Sequence, residues 1–237
     1  MGLSSLFFRT YLKAKSNRWY WLFSIFCRVV LAYAFIVAGF VKIIGERFAS
    51  GLSILHPMGA YLEALHHTGF YYTFIGYAQV AAAILLIIPR TVFLGALIYF
   101  PIILNICILS IAVRFEGSLV TSPLMVLANL FLLVWHYNKL QFLLPIKSRL
   151  DMLHVGKSKK YSNKFPWLFS LFVIACVAFT VVVARFGYDF RPRNSLKDCK
   201  KQFVNTINEE KGIEFCQCIH INGSTLDQCL EEYNNKH

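Results

Sequence analysis

WYWLFSIFCRVVLAYAFIVAGFVKII, residues Trp19–Ile44, is a near-continuous apolar run interrupted only by Arg28 and Lys42. A hydrocarbon core about 30 Å thick needs roughly 20 such residues in a helix. The run is therefore read as a membrane-spanning helix. It has the basic flank of a signal peptide, but it is much longer than the apolar core of a cleaved one, about 7–15 residues. Arg28 also interrupts it, so it is read as a retained helix that doubles as the insertion signal. Four more runs of spanning length follow: Phe70–Pro89, Val92–Val113, Leu119–Leu140 and Pro166–Phe186. A 57% hydrophobic composition agrees with that number, as does a mean hydropathy of +0.54. The expected fold class is an all-α integral membrane helical bundle with five crossings.

Charge sets the expected orientation. Arg9, Lys13, Lys15 and Arg18 precede the first run, and Arg90 sits in the short loop between the second and third. Lys139, Lys147, Arg149, Lys157, Lys159, Lys160 and Lys164 lie between the fourth and fifth, offset only by Asp151. Five crossings put all three groups on one face, which the positive-inside rule makes cytoplasmic. The expected organisation is a cytoplasmic basic amino terminus (1–18), a four-helix bundle (19–140) with an outer interfacial segment (46–69), a basic cytoplasmic loop (141–165), a fifth transmembrane helix (166–187) and an exported tail (188–237). From Asn194 onward the tail has 5 lysines against 7 acids, so the rest carries 19 basic and 5 acidic residues. In a soluble protein that surplus would point to nucleic acid. Beside membrane spans it points to anionic lipid at the cytoplasmic face. A plasma membrane is expected, bacterial inner membrane in type, with the tail periplasmic or extracellular.

The cysteines divide in the same way. Cys199, Cys216, Cys218 and Cys229 lie in the tail, whereas Cys27, Cys107 and Cys176 lie within spans. An even number in a short exported segment predicts a disulfide framework. Cys216 and Cys218 are too close to bond comfortably, so each is expected to reach for Cys199 or Cys229. Cys216-Gln217-Cys218-Ile219-His220 lacks the spacing of a haem or zinc site, which leaves a redox-active pair and a metal site as the lesser alternatives. Leu196, Cys199, Phe203 and Ile207 recur at helical spacing, and Ser224-Thr225-Leu226-Asp227 reads as a capping box. Asn222-Gly223-Ser224 is a glycosylation sequon only if the source is a eukaryote.

Few polar residues lie inside the spans, and their depths coincide. At 1.5 Å per residue, Arg28 lies about 13 Å beyond Trp19, Gln79 about 16 Å above Arg90, Asn129 at about that height, and Asn105 about one turn further out. Stripes of small residues accompany them: Gly39 with Arg28 and Lys42, Gly76 with Gln79, Ser122 with Asn129. Small residues let membrane helices approach closely, and amides can bond across the gap. The four side chains are read either as interhelical glue or as a ligand site with Lys42 at its outer mouth. A central arginine costs roughly 2.5–3.5 kcal/mol and turns inward. No Asp or Glu lies inside any run, so amides, carbonyls, water, headgroups or a ligand must meet its charge. The outer segment Glu46–Gly69 is expected to form a helix across the mouth. Its His56, His66 and His67 are read as interfacial residues, since no HExxH accompanies them, and no metal site is expected.

Arg28, Gly39 and Lys42 resemble the first-helix pattern of the DoxX-like membrane proteins. Leu85-Leu86-Ile87-Ile88-Pro89-Arg90-Thr91 is similar to that family's helix-two exit. The resemblance covers residues 19–140 and leaves the fifth span and cysteine tail as an added module. It implies a membrane anchor or quinone-facing subunit of a membrane-associated redox system. Related proteins act as assembly chaperones or cargo receptors without catalysis. Gln79 stands where many relatives carry an acid, which weakens a proton-handling role. The chain offers no nucleophile–base pair, phosphate loop or haem ligand pair, so catalysis by this chain alone is unsupported. Three roles follow: a quinone-facing redox subunit, a non-enzymatic assembly protein that binds a membrane or exported partner through its tail, and a carrier of a small amphiphile.

Overall fold

The computed structural model describes residues 3–143 and 162–235. Lys147, Arg149, Asp151, Lys157, Lys159 and Lys160 lie outside the described residues. Helices account for the regular structure throughout: α1 (Leu3–Lys15), α2 (Arg18–Ile43), α3 (Pro57–His66), α4 (Phe70–Ile87), α5 (Val92–Ala112), α6 (Thr121–Trp135), α7 (Tyr137–Leu143), α8 (Trp167–Phe186), α9 (Leu196–Lys201), α10 (Glu209–His220) and α11 (Leu226–Asn235). Four of these, α2, α4, α5 and α8, are long and apolar enough to cross a membrane.

Capping and proline explain several boundaries. Asn17 caps α2 by accepting the Trp19 N–H at 2.9 Å, and Pro57 opens α3 at the position where a missing N–H costs nothing. Pro89 follows the end of α4 and Thr91 opens α5, so the two form a tight hairpin. Helices α2 and α4 pack most extensively, crossing at facing glycines. A Cβ on Gly39 would lie 2.7 Å from the Gly76 carbonyl, and one on Gly76 would lie 2.8 Å from that of Gly39. Only glycine admits so close an approach. Around this crossing Phe35 stacks on Tyr99, and Leu31, Ala82, Ala83, Leu86, Ala96 and Leu132 complete a core shared by α2, α4, α5 and α6.

The bundle has two distinct ends. At the lower end the starts of α2 and α8 are laced together. Ser162 donates its N–H to Ser16 and accepts that of Arg18, while Asn17 Nδ2 and Trp19 Nε1 reach the carbonyls of Lys164 and Asn163 at 2.8 and 3.2 Å. Tyr11 of α1 donates to the Trp135 carbonyl at 3.2 Å. The upper end carries α3, the α5–α6 connection and the tail. Helix α8 stands at the edge of the bundle, touching it through Phe169 against Tyr20, Phe23 and Phe131, with most of its apolar surface exposed.

The tail is a small unit stapled by Cys199–Cys216 and Cys218–Cys229. Its core gathers Phe190, Phe203, Phe215 and Tyr233 around the disulfides. It seats on the upper end through Arg191 and Arg193, both paired with Glu116. Arg114 adds a bond to the Phe190 carbonyl at 3.2 Å, and His220 lies 5.9 Å from His56, centroid to centroid.

Three sequence expectations need correction. The fourth run is not one helix: α6 has 15 residues and stops before His136, after which α7 starts at Tyr137. His136 tightens the last turn, its N–H shared between the Leu132 and Leu133 carbonyls and its Nδ1 2.9 Å from the former. The capping box is shifted by one residue: Thr225 accepts from the Gln228 N–H while Gln228 Oε1 accepts from that of Thr225. Ile207 leaves the expected helical stripe, because α9 ends at Lys201, and it is fully exposed.

Candidate functional site

In the upper half of the bundle α2, α4, α5 and α6 diverge around a cavity of about 490 Å³. That lies within the roughly 300–1,000 Å³ typical of small-molecule sites. Its walls are mainly apolar, from Phe35, Ile75, Ile102, Ile106 and Met125, and α3 roofs it with Met58, Leu62 and Leu65. Lys42, Gln79, Asn105 and Ser122 supply its polar groups.

Lys42 is the unusual member. It sits in the last turn of α2, from where a lysine ordinarily extends its stem outward to place its ammonium in water. Here the chain folds back into the bundle. Nζ donates to the Ala38 carbonyl at 2.9 Å, Phe48 covers it at 4.6 Å from its ring centroid, and the residue is only 6% exposed. No carboxylate pairs with it among the described residues. One N–H of the ammonium is used and two remain for a ligand.

Gln79 stands beside it across the glycine crossing. Its side chain is 1% exposed, and its buried Oε1 has no hydrogen-bond partner. An unmatched buried amide costs about 1–3 kcal/mol, which a ligand group would offset. Glycine and polar residue recur at the same interval on both helices, Gly39 to Lys42 and Gly76 to Gln79. Each glycine admits the facing helix and thereby buries the polar residue one turn away. That interval was the available sequence signal for the pair. Phe48 had no comparable signal, since it reaches the site by chain reversal.

The other expected site residues divide. Asn105 lines the cavity on its exposed edge. Asn129 is fully buried and bonds α6 to α5, its Nδ2 donating to the Ala96 carbonyl at 3.1 Å, but it does not line the cavity. Arg28 does not join Gln79 and Asn129. Its Nε and Nη2 donate to the carbonyls of Leu86 and Ile87 at 2.8 and 2.6 Å. Leu86 is seven residues from Gln79, about 10 Å along α4. The physical reason is that α4 ends at Ile87 with Pro89 beyond, so its last carbonyls have no helical donors. Thr91 takes that of Leu85 and Arg28 takes the next two, a favourable place for a cation beside the helix C-terminus.

The remaining histidines are engaged locally. His66 lies 3.0 Å from the Gly45 carbonyl and His67 3.0 Å from Glu63. Among the described residues no three of His, Cys, Asp and Glu come together as a metal site.

A curated relative, the uncharacterized protein YwoB of Bacillus subtilis (strain 168), is 32% identical over 113 residues, which cover 46% of this chain and 72% of that protein. The chain belongs to the family of YwoB. No family model matches the chain, and no solved structure matches it.

Proposed function

We propose that this member of the YwoB family is a five-pass, DoxX-like membrane protein without catalysis of its own, which serves a membrane-associated redox system as its quinone-facing subunit. The observation that carries the reading is Lys42, a buried ammonium turned into an apolar cavity with no carboxylate among the described residues to meet it. A quinone supplies what is missing: a flat head with carbonyl oxygens that accept from Lys42 and Asn105, and an apolar chain for the walls. The buried Gln79 Oε1 favours the reduced form, whose hydroxyl donates to it.

The crossing that brings the number to five is α6, fourth in chain order. It is short, but its ends reach both levels of the bundle. Ser118 just before it lies 2.6 Å from Ser110 near the top of α5, and Lys139 just after it donates to the Arg90 carbonyl at the bottom, at 3.4 Å. Five crossings with the lower end cytoplasmic put the disulfides on the oxidising side, as their chemistry favours.

The test is purification from native membranes followed by mass spectrometry of extracted small molecules. Quinone is expected to co-purify with the wild type and to be lost from Lys42→Met at unchanged thermal stability. A wild-type protein free of quinone overturns the reading. A second role, binding an exported partner through the tail, is favoured by the exposed apolar Val204 and Ile207 between α9 and α10. A client protein co-eluting without quinone would support it instead.

A further inference from the structure

We propose that the ligand is a membrane-dissolved, single-chain amphiphile that reaches the cavity sideways from the upper half of the bilayer, through the gap between α4 and α5 beside Pro101 and Asn105. This rests on reading the cavity as a ligand site and adds the phase from which the ligand comes.

The gap has a structural origin. Near their hairpin α4 and α5 touch backbone to backbone: a Cβ on Gly95 would lie 2.7 Å from the Leu86 nitrogen. Pro101 sits inside α5, where it removes a helical hydrogen bond and its ring crowds the carbonyl four residues back. From Pro101 upward, Ile102, Asn105, Ile106 and Leu109 line the cavity. The two helices are therefore closed below the proline and open above it.

Exposure marks the same place. Among the lining residues Tyr71 is 55% exposed and Tyr61 39%, and Pro101 and Asn105 are exposed beside them. Asn105 makes no hydrogen bond with any described residue although it faces the hydrocarbon level, where an unsatisfied amide is costly. At a doorway that amide has a use, as a resting point for a polar head passing the apolar rim. The roof is closed by contrast except at Tyr61, its outer edge. Met58 and Leu62 are 4% and 8% exposed, and the tail covers the segment leading into α3, with Gly223 against Leu55. A cavity of this size holds a head and the first part of one chain, the rest lying out through the gap. Gly117 and Thr121 at the start of α6 are the other exposed lining residues and define the competing route.

The experiment uses the full chain in lipid nanodiscs, with a decyl-benzoquinone and an anthroyloxy-labelled stearic acid as probes, and measures occupancy and exchange rate separately. Asn105→Trp is expected to slow exchange at least ten-fold, although losing the amide's bond to the head would by itself lower occupancy and speed release. Thr121→Trp, and Gly223→Trp, which lifts the tail from Leu55, are expected to leave the rate unchanged. An unaltered rate in Asn105→Trp, slowing in Thr121→Trp, or acceleration in Gly223→Trp overturns the sideways route. Stearate bound without quinone overturns the quinone reading and leaves the route standing. Failure of both probes to bind the wild type overturns both.

Discussion

At the lower end of the bundle the described cations meet backbone and rings. Arg28 bonds the Leu86 and Ile87 carbonyls, Lys139 that of Arg90, and Lys15 lies 4.0 Å from the Trp135 ring centroid. At the upper end three arginines meet carboxylates, Arg47 on Glu63 and both Arg191 and Arg193 on Glu116, while Arg114 bonds a carbonyl. The sequence explains the contrast. Segments 1–28, 90 and 139–164 hold 13 of the 24 cations and 1 of the 12 acids; the rest of the chain holds 11 of each. One end is thus neutral and bonded to itself, while the other carries a net positive charge whose counter-ions must come from outside. Anionic headgroups are the natural source, at about 1 kcal/mol for each Lys or Arg near such a surface.

The difference can be broken from either side. The largest effect is expected from Cys218→Ser with Cys229→Ser. A disulfide closing so short a loop contributes about 2–4 kcal/mol, more than a tail of this size can forgo. Hydrogen exchange should show residues 196–235 losing protection while α2, α4 and α5 keep theirs. A tail still protected after both substitutions would mean that packing alone holds the upper end.

Acid should act next. Burial and the neighbouring His220 push His56 down to about 4. Its Nδ1 caps α3 by accepting the Met58 N–H, which needs the neutral ring. Above pH 6.5 the ring is neutral in both states and contributes no pH dependence. As pH falls from 6.5 toward 4 the unfolded chain binds the proton and the folded one does not, so stability falls by up to about 3 kcal/mol. Thermal unfolding at pH 7.5 and 4.5 checks this, with His56→Asn as a control expected to flatten the profile.

Glu116→Gln should be milder, about 1 kcal/mol, because both ion pairs are partly exposed. Its effect should fade in high salt, as read from protease release of the tail. The smallest change is expected of Arg28→Leu. It loses two hydrogen bonds but removes a charge that costs about 2.5–3.5 kcal/mol in the membrane. The melting temperature should stay within a few degrees of the wild type; a large drop would mean that the α4 terminus depends on the guanidinium.

The long apolar runs were legible to within one or two residues. Phe70–Pro89 became Phe70–Ile87, and Val92–Val113 became Val92–Ala112, because length and hydropathy alone specify such helices and proline ends them. The break at His136 was not legible, since it depends on which carbonyls one imidazole and Tyr11 of α1 engage. The depth argument matched Gln79 with Asn105, and both line one cavity. It misplaced Arg28 because depth was measured at the Cα, and an arginine reaches several ångströms toward whichever carbonyls lack donors. Backbone groups left free by a helix end are invisible to a search for side-chain partners. Lys42 was placed at the outer mouth; Phe48, which covers it there, had no sequence signal because it arrives from a loop.

The lacing between residues 16–19 and 162–164 bears on the order in which the molecule is assembled. The strands of that strap are separated by more than 140 residues of chain, so its hydrogen bonds cannot form until α8 has been made, well after α2, α4 and α5 can pair through shorter connections. Domains made amino-terminus first fold in that order, and distant pairings come late because loop closure must precede them. Until then Asn17 and the Ser16 and Arg18 backbone groups remain available to water or to insertion machinery. The strap is a late fastening, so a substitution such as Asn17→Ala should delay the arrival of α8 at the bundle edge more than it alters the finished bundle.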